Sequence, residues 1–255
     1  MSMSVNDNGF PTFQSFKAWF EERTKNHHNK TGILGRFSED FAQGKIPLEL
    51  LKEYTRQFYV FIQITNSNLT WTLARHADLW RRHPELYDVV AAKVGEELAD
   101  PGPGGHGRTY VKFASYIGIR EEELFSAKPL PELEARFNLR VNAYRSQRPA
   151  EMAVSWMLEG FAGYSLKRQR DILHEKYGVP DDALEYFDLH VQADIEEHGP
   201  MGEMLLEKLY QLGLVGADDF GRMKTFVEGH SEGAQAGSLN SWQEVIYNHY
   251  YAQGS

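Results

Sequence analysis

The 255-residue chain contains no cysteine. That absence excludes disulfides, iron–sulfur clusters, thiolate zinc sites and a cysteine nucleophile. Long apolar runs are lacking too, and none reaches the ~18 residues of a membrane span. Alternating Val/Ile/Thr-rich runs closed by hairpin turns are absent, which argues against strands. Positive charge is scarce: 27 Lys and Arg stand against 36 Asp and Glu, a formal net charge of -9. An acidic surface repels phosphate backbones and anionic membranes, so neither nucleic acid nor a membrane is an expected partner. The opening segment MSMSVNDNG has no apolar stretch of the secretory-signal kind. A cytoplasmic location is the default expectation.

What is present suits a helical globular protein. Hydrophobic residues make up 42% and aromatics 13%, enough for a substantial core. The uniform pattern favours a single domain over residues 1–255, with residues 1–10 as a flexible tail. Helical periodicity predicts a helix from Thr12 to His28, with Phe13, Phe16, Trp19 and Phe20 on one side. Pro47 and Pro84 sit where first-turn prolines belong, opening helices to about Leu73 and Leu98. The stretch PGPGG, Pro101 to Gly105, breaks the chain. Further helices are expected over Arg108–Ile117, Glu121–Phe125, Pro131–Arg145 and Ala150–His174. Another runs from Asp181, a good N-cap, to Leu212 with a bend near Gly199-Pro200. Asp218–Glu228 and Asn240–Tyr251 complete an all-α layout.

Three segments carry candidate chemistry. In AEMAVSWMLEGFAGYSL, Ala150 to Leu166, Glu159 is the only charge after Glu151. Apolar neighbours on every side predict a helix buried nearly all round. An isolated buried carboxylate costs several kcal/mol unless protonated, paired or metal-bound. Its helical neighbours Ser155, Ala162 and Gly163 are small and leave room beside it. The alternative is a structural ion pair with an arginine.

In YFDLHVQADIEEHG, His190, Asp194 and His198 lie four apart and share one helix face, bordered by Glu197. Imidazole and carboxylate without sulfur lean toward iron or manganese. The alternative is a solvated polar face. In KVGEELADPGPGGH, Glu96 and Glu97 end a helix and His106 follows the glycine loop. The loop carries no phosphate-binding fingerprint, since no strand precedes it, and its glycines could be a connector. Together the segments supply about the number of N/O donors that two metal ions need within a helical bundle. No Glu-x-x-His motif occurs, which disfavours the ferritin-type architecture.

On these residues, EEL…H at Glu96–His106, MLEG at Met157–Gly160 and H-x-x-x-D-x-x-x-H at His190–His198, the chain resembles the haem-oxygenase-like di-iron oxidases and oxygenases. That superfamily shares its fold with thiaminase II and pyrroloquinoline-quinone synthase. The resemblance runs from about Ser38 to Leu212 and implies a bundle of about seven to nine helices. It implies two irons, loaded as Fe(II), held by Glu97, His106, Glu159, His190, Asp194 and His198. Glu159, His190 and Asp194 would be central to catalysis, and O2 would be co-substrate. N-oxygenation, desaturation or C–C cleavage of an amino acid, fatty acid or related compound would follow, in a homodimer.

The chain departs from that pattern. Two residues usually separate the last Asp and His, and here there are three, so either His198 reaches the metal or Glu197 takes its place. Glu96 could likewise replace Glu97. Some members add a carboxylate from the long earlier helix, yet no Asp or Glu occurs between Glu53 and Asp78.

Gln63 and Asn66, with Tyr59, Phe61, Trp156 and Phe161, are the residues expected to line a substrate pocket. Lys167, Arg168 and Arg170 are candidates to bind a substrate carboxylate, against the plainer reading of a solvated helix end. The rival readings are a cofactor-free oxidase of the quinone-synthase type and a non-catalytic helical scaffold. A thiaminase-type hydrolase needs the cysteine this chain lacks.

Overall fold

The computed structural model describes residues 10–24, 35–100, 102, 104–146, 148–235 and 241–253. Among them the secondary structure is helical and no strand occurs. The helices are α1 (Phe13–Thr24), α2 (Arg36–Ala42), α3 (Leu48–Arg75), α4 (Ala77–Arg82), α5 (Pro84–Ala99), α6 (Gly105–Tyr116) and α7 (Glu121–Phe125). They continue as α8 (Pro131–Ser146), α9 (Pro149–Tyr177), α10 (Glu185–Ala193), α11 (Gly199–Gln211), α12 (Ala217–Gln235) and α13 (Ser241–Gln253). The segments outnumber the seven to nine expected because short pieces, α2 and α4 among them, carry too few turns for a periodic signal.

Prolines begin several helices for the expected reason: a ring-fixed φ suits the first turn, where the missing N–H costs nothing. Pro84 and Pro149 do this, whereas Pro47 serves as the N-cap of α3. The helix expected from Asp181 to Leu212 is not continuous. A 3-10 turn at Asp181–Ala183 precedes α10, and a π-helical turn spans Asp194–His198, just ahead of the expected bend. Residues 1–9, the bulk of the expected tail, and 25–28 of the first helix lie outside the described residues. Phe10, placed at the end of that tail, is buried.

Helix α9 is the central element. It packs along α10, the π turn and α11, while α5 lies against α6 and α11, and α6 against α10. Two apolar clusters result. One gathers Leu51, Tyr54, Tyr110, Phe113, Tyr186, Phe187 and Leu166. The other gathers Phe16, Val90, Trp156, Met157, Leu205 and Phe220.

Each site-bearing segment crosses from one cluster to the other. The α5–α6 hairpin runs from Val90 to Tyr110, α9 from Met157 to Leu166, and the chain from α10 into α11 from Phe187 to Leu205. The polar residues occupy the seam. Helix α9 is not buried all round as expected, for Ala162 and Tyr164 are exposed beyond Glu159.

Candidate metal centre

Helix α5 brings Lys93 and Glu97 to one buried face, four residues apart. The next segment turns back tightly. Gly105 adopts φ +57, and a Cβ there would lie 2.0 Å from the Glu97 carbonyl oxygen. Only glycine satisfies both conditions. The loop is thus more than a connector: it presses the start of α6, and so His106, against the end of α5.

Glu159 enters from α9. The room expected beside it is filled by the π turn and the residue that follows it. Gly160 meets Gly199, whose Cα is 3.4 Å from an added Cβ, and at Gly163 an added Cβ would stand 2.7 Å from Ile195. The small residues let the π turn approach α9 closely, which is what places Asp194 and His198 opposite Glu159.

The π turn settles the register of the last motif. Gly199 N–H donates to the Asp194 carbonyl, an i→i+5 bond that absorbs one extra residue in the turn. His198 therefore points into the cluster and is fully buried. Glu197 is half-buried and faces Glu96 instead.

Two sets of donor atoms converge within 4.8 Å: Glu97, His106 and His190 in one, Glu97, Glu159 and His198 in the other. Glu97 belongs to both and divides its oxygens between them. Its Oε2 faces His106 Nδ1 at 3.5 Å, and its Oε1 faces Lys93 Nζ at 2.8 Å and His198 Nδ1 at 3.9 Å.

Each histidine has a definable orientation. His190 Nδ1 donates to the Tyr186 carbonyl at 2.8 Å, and a carbonyl only accepts, so Nε2 keeps its lone pair. His198 places Nε2 3.1 Å from Glu96 Oε2 and Nδ1 2.8 Å from Asp194 Oδ1. The same Nδ1 is 3.5 Å from Glu159 Oε2. Asp194 thus joins the cluster through His198, while Glu96 stands behind that ring.

Burial raises the Asp194 carboxyl to about 6, against the pull of His190 and Lys93. Burial also raises Glu159 and lowers His190 and His198. It would raise Glu97, but Lys93, His106 and His190 hold that carboxyl well below the usual range.

Lys93 was not singled out in the sequence. It is 1% exposed, and its Nζ lies 2.8 Å from both Glu97 Oε1 and Glu159 Oε2. Burial alone would lower its pKa, but Glu159, Glu97 and Asp194 outweigh burial and hold the ammonium above its ordinary value. The signal was its spacing: Lys93 follows Leu86 and Val90 on the apolar stripe of α5 and precedes Glu97 by four. The ion pair foreseen for Glu159 exists, with this lysine rather than an arginine.

The donor set fits a metal. Three carboxylates, Glu97, Glu159 and Asp194, face one ammonium, which leaves net negative charge in a buried site. Glu159 keeps 29% of its side chain exposed, while its buried Oε2 already has the Lys93 ammonium at 2.8 Å. His106 Nδ1 is buried without a hydrogen-bond partner. An unsatisfied donor atom aimed into a polar cluster is what a cation would saturate.

The expected pocket residues divide. Asn66 reaches the edge of the site, its Nδ2 3.6 Å from an added Cβ at Gly107. Tyr59 is buried, stacked on Phe125, and Trp156 is packed in the second apolar cluster. Phe61 is half-buried against the first cluster. Gln63 is exposed on α3 and hydrogen-bonds the Tyr59 side chain, another of the expected pocket residues. The Phe161 side chain lies outside the described residues. Lys167 pairs with Asp171, and Arg170 with Asp181 and Asp188, so these two serve surface ion pairs.

Among the described residues no helix is long and apolar enough to cross a membrane. Comparison with known proteins agrees with the architecture. A 4-aminobenzoate synthase of Chlamydia pneumoniae is 24% identical over 197 residues, covering 74% of this chain and 81% of that protein. A family model described as iron-containing redox enzyme matches residues 52–220, which include every member of the cluster. With more than half its length matched, this all-α, haem-oxygenase-like chain belongs to the iron-containing redox enzyme family.

Proposed function

We propose that the chain is an O2-dependent non-haem oxidase or oxygenase that holds two irons and acts on a small organic molecule. An amino acid, a fatty acid or a derivative of either is the substrate class. The observation that carries this reading is Glu97, whose two oxygens serve two converging sets of donors. A shared carboxylate is how two ions are held side by side in a helical bundle.

Glu97, His106 and His190 would hold one iron, and Glu97, Glu159 and His198 the other, with Asp194 beside His198. Bound iron would supply the redox activation of O2. The protein's part is placement and exclusion. Tyr186 fixes the His190 tautomer through its carbonyl, and its ring covers that imidazole at 4.0 Å between centroids. Tyr110 backs Tyr186 at 4.8 Å. These rings keep water from the histidine side and limit side reactions. Glu96 orients His198 from behind, the role a carboxylate plays for a metal-bound imidazole.

Anaerobic Fe(II) loading followed by O2 tests the reading. About two irons per chain and a transient visible absorption are the expected outcome. Glu159→Ala and His190→Ala should abolish both, and full iron binding by both variants sinks the assignment. O2 uptake by iron-free protein would instead favour the cofactor-free oxidase. Substrate-triggered O2 uptake should then be screened over amino and fatty acids. The screen should include assay for 4-aminobenzoate, because a relative carries that synthase name. The homodimer that the resemblance implies is checked by light scattering.

A further inference from the structure

The two sets of donors differ in one respect that ligand geometry does not require: an ammonium lies in one and not in the other. The geometry points to Lys93 as a resident cation of the Glu97–Glu159–His198 set, one that an incoming metal ion displaces. The inference rests on the reading of the cluster as a two-metal centre.

Lys93 Nζ touches Glu97 Oε1 and Glu159 Oε2, each at 2.8 Å. Those oxygens are the ones that face His198 Nδ1, at 3.9 Å and 3.5 Å. The ammonium therefore bridges the two carboxylate oxygens that face His198. A metal ion bonded to both of those oxygens at ~2 Å contends with an ammonium already in contact with them. One cation excludes the other.

The second set, Glu97 Oε2 with His106 and His190, is faced by imidazoles and the Tyr186 ring. An ion arriving there meets no ammonium contact to break.

A lysine is suited to this exchange. Its charge sits at the end of a flexible four-carbon stem and moves by rotamer change while its helix stays in place. With no ion in the Glu159 set, Lys93 keeps two buried carboxylates from repelling each other. With an ion bound, the ammonium has to withdraw. The two sets then fill in order, the histidine set first. The Glu159 set follows with an affinity reduced by the contacts that Lys93 gives up.

Anaerobic titration calorimetry with Fe(II) tests this without any turnover. Wild-type protein should bind in two resolved steps, the second at least tenfold weaker. Lys93→Met should strengthen the second step at least tenfold, a larger change than in the first step, which shares only Glu97 with the lysine. Lys93→Arg, which keeps the charge, should retain the weak second step. If Lys93→Met folds only with metal supplied, chelator extraction replaces the titration, and the second ion should leave at least tenfold more slowly than from wild type.

Two ions bound by wild type and Lys93→Met with the same second-step affinity, or the same extraction rate, would overturn the inference while leaving the metal centre intact. No uptake by either protein would overturn the metal-centre reading and this inference with it.

Discussion

The two halves of the polar cluster share Glu97 and are otherwise built on different principles. The histidine half uses two imidazoles, His106 and His190, against a wall of buried tyrosines, Tyr110 and Tyr186. The carboxylate half gathers Glu159, Asp194, His198 and the ammonium of Lys93, with Glu96 behind. Its wall is backbone, where Gly160 meets Gly199. Imidazole can be buried neutral, so the first half tolerates a dry aromatic setting. Carboxylates cannot be left there unpaired, so the second half carries a counter-charge. The difference shows how one buried site combines donors of unequal solvation cost.

Removing the shared residue should break both halves at once. Glu97→Ala is expected to lose both irons in anaerobic loading measured by metal analysis. It also strips Lys93 of one buried partner, which costs ~3–5 kcal/mol in chemical denaturation.

The next largest effect should fall on the histidine half alone. Gly105→Ala forces a Cβ to within 2.0 Å of the Glu97 carbonyl oxygen, so α5 and α6 must separate. Loss of one iron per chain, with the second retained, is the expected stoichiometry. Retention of both would show that His106 is not held by this contact.

A smaller change should mark the carboxylate half. Glu96→Ala removes the group behind His198 Nε2 and should weaken metal binding there by about 10–100-fold, read by chelator competition. Glu96→Gln keeps an acceptor at that distance and should restore most of the affinity.

The smallest contrast is one of pH. Burial pushes the Tyr110 and Tyr186 phenols well above their ordinary value, and Tyr177 to about 12. In the unfolded chain these groups release protons near ~10. The folded state therefore holds more protons above that pH, and stability falls as pH rises further. The melting temperature of iron-free protein should drop above pH ~10, with part of the phenolate absorbance appearing only on unfolding. Phenolate absorbance from all 13 tyrosines ahead of unfolding would show that the aromatic wall is open to solvent.

Much of this arrangement is legible in local pattern. Glu159 stands out as a lone charge in an apolar helix. His190, Asp194 and His198 declare a shared face by their spacing. Pro84 marks a helix start because a fixed φ acts within a single turn. Features that depend on a second element were not legible. Lys93 reads as one more surface lysine until α9 is laid beside α5. The glycines of α9 read as space beside a carboxylate until the π turn fills it. The choice between His198 and Glu197 turned on a π turn, which the spacing of residues does not announce.

By itself, then, the amino-acid order determined that the chain is helical, that it lacks every cysteine-based chemistry, and that certain acids and imidazoles lie on inward faces. Such properties follow from propensity and periodicity, which act over a few residues. Tertiary packing alone decided which of those groups meet, which oxygen of Glu97 faces which partner, and that an ammonium stands among them. Those outcomes depend on how closely separate helices approach, and at Gly105, Gly160 and Gly163 the approach is set by the contact of one backbone with another element of the fold.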